Sequence, residues 1–190
     1  MTADAARPMR ADARRNYERI IATAREAFTE EGTDVPLDDI AKRACVGAGT
    51  LYRHFPTREK LFEAVYRDEV ETLAQHAFDL LAELPPGEAL EAWMRNQVRY
   101  YAERRGLTVA LKAALDHESE TFALCRTRTQ TASGALVSAA QEAGLIRADV
   151  TGTDVLRLCH GVGSVSQYAA PEDVERMLGV VLDGLRVERG

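Results

Sequence analysis

Apolar residues recur every three or four positions through most of the chain, and this spacing places side chains on one face of an α-helix. A first helix is predicted over residues 13–31, because Ile20, Ala24 and Phe28 share one face and Gly32 follows as a stop signal. No segment alternates apolar and polar residues in the way that a β-strand does. The pattern therefore predicts an all-α fold of about nine helices.

Two short helices are predicted next, over residues 36–44 and 48–55, with a tight turn between them. Pro56 ends the second one, because proline cannot continue the helical hydrogen-bond ladder. Thr57 is a suitable cap for a long helix that continues to about Leu84. Two short helices joined by a tight turn and packed on a longer one form a helix-turn-helix head.

Five further helices complete the prediction, and turn-forming residues separate them. A Pro-Pro-Gly sequence precedes the first of the five, Gly106 is expected to end it, and Gly144 is expected to end the third. The predicted helices cover the residues from Leu90 to Gly106, 107–117, 120–143, 153–168 and 171–187. We therefore expect a head of residues 1–60 and a body of residues 61–190.

Composition places the chain among globular proteins, with 46% hydrophobic and 28% charged residues. Its longest stretch without Asp, Glu, Lys or Arg, residues 158–171, is shorter than the roughly 20 apolar residues that cross a bilayer. The beginning of the chain has no apolar segment of the signal-peptide type, which predicts a cytoplasmic protein without a membrane anchor. Its 3 cysteines are far apart and form no CxxC pair, so we expect neither a disulfide framework, a bound metal nor another cofactor.

Charge is distributed unevenly along the chain. The net charge is -6, yet the first 60 residues carry 11 Lys and Arg against 10 Asp and Glu, so the acidic excess lies in the body. A nearly neutral head with local clusters of arginine can approach a phosphate backbone, although a solvated mixed-charge surface has the same composition.

The second short helix of the head combines small and polar residues on one side. Leu51 and Phe55 are four residues apart and are expected to face the core. The outer side is left to residues that can approach a groove or donate hydrogen bonds to it: Ala48, Gly49, Thr50, Tyr52, Arg53 and His54. Arg58 and Lys60 follow and add positive charge. This helix is therefore the candidate DNA-reading element, and ordinary surface residues on a packing helix are the alternative.

The segment GTLYRHFPTREKL, with IAKRACV before it, strongly resembles the DNA-binding head of the tetracycline-repressor (TetR) family over roughly residues 13–62. The resemblance implies two kinds of DNA contact. Residues at positions that contact phosphates are Thr50, Tyr52, His54 and Arg58. Residues at positions that approach base edges are Ala48, Gly49 and Arg53.

Four residues of the head depart from the family pattern. Pro36 stands where a capping threonine is common, so one phosphate-contacting hydroxyl is lost. Cys45 stands where a turn glycine is common, and a residue with a side chain tolerates a left-handed conformation poorly. Gly47 stands where a serine cap is common, and Asp38 stands where some members place an arginine that reads bases. The operator sequence therefore cannot be taken from a relative.

The body carries two further expectations that follow from the resemblance. The first is a pocket for a small-molecule effector, with the candidate ligand-binding residues Trp93, Gln97, Tyr101, Phe122 and Arg126. The alternative for these residues is plain hydrophobic core. The second is a homodimer interface on the last two helices, whose apolar stripe includes Leu178 and Leu182 and whose alternative role is a core within the chain.

The sequence is thus interpreted as a homodimeric transcriptional regulator, a repressor without catalytic activity that binds a palindromic DNA operator. Its domain of residues 1–60 binds DNA, and its domain of residues 61–190 binds the effector and dimerises. An all-α enzyme and a helical protein-interaction module are the alternatives, and both leave the groove-facing residues of the head unexplained.

Overall fold

The computed structural model describes the backbone of residues 6–114, 120–166 and 168–187, and the side chains of residues 11–103, 120–166 and 168–187. The helices are α1 (Ala6–Glu31), α2 (Leu37–Arg43), α3 (Ala48–His54), α4 (Arg58–Glu83), α5 (Pro86–Ala114), α6 (Glu120–Glu142), α7 (Gly152–Val165) and α8 (Pro171–Leu185). The all-α prediction is confirmed for these residues. None of the helices in the described part of the chain is long and apolar enough to cross a membrane.

The described residues contain eight helices rather than about nine, because α5 continues through Gly106. The prediction that Gly106 ends a helix was wrong. A glycine stops a helix when it adopts a left-handed conformation, as Gly32 does at φ +87° and Gly144 does at φ +68°. In a helix interior it costs only about 1 kcal/mol relative to alanine, and the helix-forming residues around Gly106 outweigh that cost. The expected end of the next helix at His117 lies outside the described residues.

Other helix boundaries differ from the predictions for local reasons. The helix α1 begins at Ala6 rather than near residue 13, and Pro8 is tolerated in its first turn because those N–H groups have no helical acceptor. The helix α7 begins with a capping box. The hydroxyl of Thr151 accepts a bond from the Asp154 N–H at 3.3 Å, and the Asp154 carboxylate accepts one from the Thr151 N–H at 3.1 Å.

The chain divides into two compact units. The first comprises Met1–Asp68 with Gly106–Ser119. In it α1 packs against α2 and α3 around a core of side chains that are fully buried: Ile20, Ala24, Ala27, Ile40, Leu51, Leu61 and Val65. These residues are the apolar stripes of the first helices, so the packing of the head follows directly from their helical spacing.

The second unit comprises Glu69–Arg105 and Glu120–Gly190. Its core collects one face from each helix, and its largest fully buried apolar side chains are Trp93, Met94, Leu136, Val155 and Leu178. An isolated bridge between Ile146 and Arg186 ties the segment after α6 to the end of α8. Cys125 and Cys159 are buried in this unit, in agreement with a packing role, and burial raises the pKa of the Cys159 thiol to about 12.

The long helix α4 belongs to both units. Its residues up to Asp68 lie in the first unit, and those from Glu69 onward lie in the second. In the first unit Arg67 donates a hydrogen bond to the Tyr17 hydroxyl at 2.8 Å. In the second unit Arg128 of α6 donates to both carboxylate oxygens of Glu71, and its Nη2 lies 2.7 Å from Oε1. The helix is thus attached to α1 and to α6 through residues only one turn apart.

Candidate functional site

The helix α3 is held by its apolar side. Leu51 is fully buried and Phe55 is 2% exposed, which confirms the two core positions expected from their spacing. Each helical residue advances about 100° around the axis, so the side opposite these two residues points away from the core. Ala48, Gly49 and Arg53 lie there and are exposed.

The turn before α3 is a Schellman motif. The N–H of Val46 bonds to the carbonyl of Ala41 at 3.0 Å, and the N–H of Cys45 bonds to the carbonyl of Lys42 at 3.0 Å. Cys45 sits at the left-handed position with φ +52°, so the side chain of a cysteine occupies a conformation that favours glycine. Cys45 therefore adopts the left-handed conformation that a residue with a side chain was expected to tolerate poorly. The turn nevertheless keeps the hydrogen bonds that orient α3 against α2.

Four polar side chains of α3 keep their hydrogen-bonding groups free of the protein's own fold. Tyr52 is 44% exposed, Arg53 is exposed, and Thr50 and His54 are half-buried. None of the four side chains makes a hydrogen bond or ion pair within the part of the chain that the structure describes. The basic residues at the end of α2 behave differently, because Lys42 is paired with Asp39 and Arg43 with Glu31. The uncommitted donors of the head are therefore concentrated on α3.

Aromatic contacts fix the orientation of His54. Its ring meets the ring of Tyr17 edge to face at 5.9 Å, and Tyr17 in turn stacks on Phe55 at 5.1 Å. This contact was missed in the sequence analysis. The sequence offers one weak signal of it, the phenol of Tyr17 near the apolar stripe of α1. The spacing within α1 carries no information about which side chain of α3 lies opposite.

Arg58 and Lys60 lie just beyond α3 and are already engaged. Arg58 is half-buried, donates to the backbone carbonyl of Thr33, and lies over the ring of Phe62 at 5.9 Å. Lys60 is exposed and its Nζ lies 2.8 Å from Glu63 Oε2. The structure thus places both near the end of α3, but it uses Arg58 to hold the loop between α1 and α2.

Gly49 has no structural need to be glycine. A Cβ built on it would meet nothing within 4 Å, and its φ is outside the left-handed region. A glycine in a helix costs stability relative to alanine, so a glycine without a packing reason requires another explanation. A surface that leaves room for a close external approach provides one.

The candidate ligand-binding residues fall into two groups in the second unit. Trp93 is 1% exposed and its Nε1 donates a long bond of 3.5 Å to the Leu73 carbonyl, while Gln97 is 2% exposed and its Nε2 has no hydrogen-bond partner. Tyr101 is half-buried, and burial raises the pKa of its phenol. These three share one face of α5.

Phe122 and Arg126 form a separate pair on α6. The Arg126 guanidinium lies over the ring of Phe122 at 5.8 Å, and Arg126 itself is exposed. The structure therefore places three of the five candidate residues on one face of α5 and the other two on α6.

Among the described residues of the second unit there are open cavities of about 530 Å³ and about 800 Å³. The larger one follows the side of α5 that carries Arg95 and Arg99, and the smaller one lies where α5 begins and α8 ends. None of the five candidate residues lines either cavity. Sequence reasoning missed both cavities, because each is lined by residues from distant parts of the chain, and the spacing within one helix does not show which of them meet.

The chain was compared with known families and structures. Residues 20–65 match the family model described as bacterial regulatory proteins, tetR family, and residues 85–187 match that described as transcriptional regulator SbtR-like, C-terminal domain. A Staphylococcus aureus protein, HTH-type transcriptional regulator SAR0097, is 40% identical over 80 residues. This match spans 40% of the chain and only 41% of the length of that relative.

Solved structures match over nearly the full length. The TetR transcriptional regulator SCO0520 from Streptomyces coelicolor is 43% identical, with a TM-score of 0.74 over 91% of this chain and 99% of that chain. A TetR transcription regulatory protein from Mycobacterium vanbaalenii is 42% identical, with a TM-score of 0.78 over 95% of this chain and 100% of that one. Both parts of the chain and its overall length thus agree with one assignment, and the protein belongs to the TetR family of DNA-binding transcriptional regulators.

Proposed function

We propose that two copies of this chain bind a palindromic DNA operator through α3 and act as a repressor in the cytoplasm. The observation that carries the proposal is the group of uncommitted polar side chains on α3. Hydroxyl, phenol, guanidinium and imidazole groups donate to phosphate oxygens and base edges, and a helix with small residues at its start fits the major groove.

The roles of the individual residues are those that the resemblance to the family implies. Ala48, Gly49 and Arg53 approach base edges, and all three are exposed on α3. The phosphate contacts come from the remaining polar residues, Thr50, Tyr52 and His54. Lys60 adds a charge near the same phosphates. Arg58 holds the loop before α2 and has guanidinium donors beyond the one that Thr33 accepts.

The dimer forms through the outward faces of α7 and α8. Leu158, Met177 and Val180 are 39%, 38% and 69% exposed, and apolar side chains exposed on adjacent helices favour a partner. Leu178 and Leu182 were expected to belong to this interface. They are 0% and 8% exposed and pack in the core of their own chain, so they hold α8 in position rather than contact the partner.

The effector binds in the second unit and acts through α4. This helix supplies residues to both units, with Arg67 attached to α1 and Glu71 attached to α6. A ligand that binds more tightly to the released arrangement weakens operator binding by the same coupling free energy, typically about 1–3 kcal/mol. Two heads must engage grooves about one helical turn apart, so a small change in α4 is sufficient.

Selection of bound duplexes from a random pool tests the proposal, and a recovered palindrome is the expected result. Affinity for the selected duplex should fall steeply with added salt, because phosphate contacts release counterions. Tyr52→Ala and His54→Ala should each weaken binding by about tenfold, which corresponds to one lost polar contact of about 0.7 kcal/mol in each of the two half-sites. Tyr168→Ala is the matched control, because Tyr168 is an 84% exposed tyrosine in the second unit. Affinity that stays flat across the salt series would contradict the proposal.

A further inference from the structure

The side chain of Tyr17 in α1 contacts both α3 and α4. Its ring meets the ring of His54 edge to face at 5.9 Å and stacks on the ring of Phe55 at 5.1 Å. Its hydroxyl accepts a hydrogen bond from Arg67 of α4 at 2.8 Å. All four residues belong to the first compact unit, so these contacts lie within one body. The position of Tyr17 therefore decides what surrounds His54.

His54 is held through its ring rather than through its nitrogen atoms. The ring also lies 6.1 Å from the ring of Phe55, so His54, Tyr17 and Phe55 form one aromatic cluster. Within the part of the chain that the structure describes, the imidazole makes no hydrogen bond or ion pair. It is half-buried, so part of it stays open to solvent. Ring contacts thus direct the side chain and leave its nitrogen atoms available to an external acceptor.

Arg67 holds Tyr17 at its hydroxyl end. Arg67 is exposed, and in the described part of the head it makes no ion pair, whereas Arg25 of α1 donates to the carboxylate of Asp68. An exposed hydrogen bond between two side chains contributes little to stability, because water competes for both partners. This bond does fix the phenol, since Tyr17 is then held by ring packing on one side and by its hydroxyl on the other. Arg67 therefore keeps Tyr17 against His54.

We propose that Tyr17 is a positioning residue for DNA binding, which holds the imidazole of His54 towards the phosphate backbone and is itself held by Arg67. This inference rests on the proposed function, in which His54 contacts a phosphate. Without Tyr17 the side chain of His54 is free to occupy both χ1 rotamers that are common in a helix, which costs about twofold in each half-site and about fourfold in a dimer. This loss is smaller than the one expected for His54→Ala, because the imidazole is still present.

A double-mutant cycle on operator affinity tests the positioning role. Tyr17→Leu should weaken binding about fourfold when His54 is present, as set by the rotamer argument. In the His54→Ala background it should have no further effect, because no imidazole is left to position. A general distortion of the head, or a phosphate contact made by Tyr17 itself, would weaken binding equally in both backgrounds, and that result would overturn the proposal. Urea unfolding of each variant shows that the titrated protein is folded.

Tyr52→Ala provides the matched background, because Tyr52 is an exposed residue of the same helix without a ring contact to Tyr17 among the described residues. There Tyr17→Leu should keep its full effect, and a smaller effect would contradict a specific link to His54. Tyr17→Phe keeps the ring and the total charge but removes the bond from Arg67, so its operator affinity should lie between those of wild type and Tyr17→Leu. The cycle with Tyr17→Phe leaves the ring packing unchanged, so it decides the question even where Tyr17→Leu is unfolded. Wild-type affinity for Tyr17→Phe would overturn the part assigned to Arg67.

A measurement without DNA separates this inference from the proposed function. Three-bond NMR couplings across χ1 of His54 should report one rotamer in the free wild-type protein and an average over rotamers in Tyr17→Leu. Averaged couplings in wild type would overturn the positioning role, whatever the protein binds. A single rotamer of His54, combined with unchanged operator affinity for His54→Ala, would instead refute the phosphate contact of the proposed function and with it the need for positioning.

Discussion

Replacing Gly49 with alanine should make the protein more stable and its DNA binding weaker. Gly49 is in the first turn of α3, and an added Cβ would meet no atom of the chain within 4 Å. The substitution therefore creates no internal clash, and the backbone there needs no left-handed conformation. Its effect on stability comes only from helix propensity and from the smaller conformational freedom of alanine in the unfolded chain.

The two effects can be given magnitudes of opposite sign. Glycine-to-alanine substitution at a compatible helical position stabilises by about 0.5–1 kcal/mol. If the added methyl group on α3 costs about 1 kcal/mol per half-site through imperfect groove contact, a dimer loses about 2 kcal/mol, or roughly thirtyfold in affinity. If Gly49 served only the fold, its replacement by alanine would raise stability without weakening DNA binding.

Urea unfolding and operator titration measure the two effects separately. Gly134→Ala is the matched control, since Gly134 is a half-buried glycine inside α6 whose added Cβ would also meet nothing. We expect Gly134→Ala to stabilise the protein and leave operator affinity unchanged. If Gly49→Ala binds the operator as tightly as wild type, close approach at Gly49 is not the reason for the glycine, and the orientation of α3 in the groove must differ from the one proposed.

Three further predictions concern stability and assembly. Cys45→Gly should raise the free energy of unfolding by up to about 1 kcal/mol in urea titrations, because relief of the left-handed strain exceeds the entropic cost of glycine; a loss of stability would contradict the strain. Met177→Glu should give a folded monomer by sedimentation, since Met177 is exposed, and a dimeric Met177→Glu would place the interface elsewhere. Leu178→Glu should instead unfold the second unit, since Leu178 is fully buried. The Thr151 hydroxyl and, to a smaller extent, the Thr151 backbone N–H donate to the Asp154 carboxylate and lower the pKa of Asp154 below its ordinary value of 3.8. The stabilisation from this ionised carboxylate is therefore present above that pH and is lost as the pH falls through the pKa of the folded state. Asp154→Asn should therefore lower the Tm at pH 7, and the difference from wild type should close in acid; a difference that does not depend on pH would exclude this cause.

The head illustrates how far local sequence rules reach. Leu51 and Phe55 were assigned to the core from their spacing of four residues, and both are buried. The strained turn at Cys45 was expected from the absence of glycine there, and its φ is +52°. Such features depend on residues close together in the chain, whose relative positions are determined once the helix is assigned.

Features that depend on long-range packing could not be read in this way. Helical spacing assigned Leu178 and Leu182 to the dimer interface, yet they are 0% and 8% exposed. The adjacent Met177 is 38% exposed, because the position of the neighbouring helices decides which side of α8 is covered. Gly106 gave the same local signal as Gly144, but only Gly144 adopts the left-handed conformation that ends a helix. Whether a helix ends at a glycine depends on the free energy of the surrounding structure. The unfavourable helix propensity of the glycine itself, about 1 kcal/mol, is too small to override it.

The sequence by itself determined the all-α class, the short helix with its outward polar residues and the resemblance to the family, since all three depend on residue type and spacing. Only the tertiary structure decided that Arg58 is bound to the carbonyl of Thr33, that His54 is held by the ring of Tyr17, and that Gln97 is buried without a partner. Each of these depends on atoms brought together from distant parts of the chain or on the exclusion of solvent by packed helices. Hydrogen bonding and burial are properties of that packing, and neighbours in sequence carry no direct record of them.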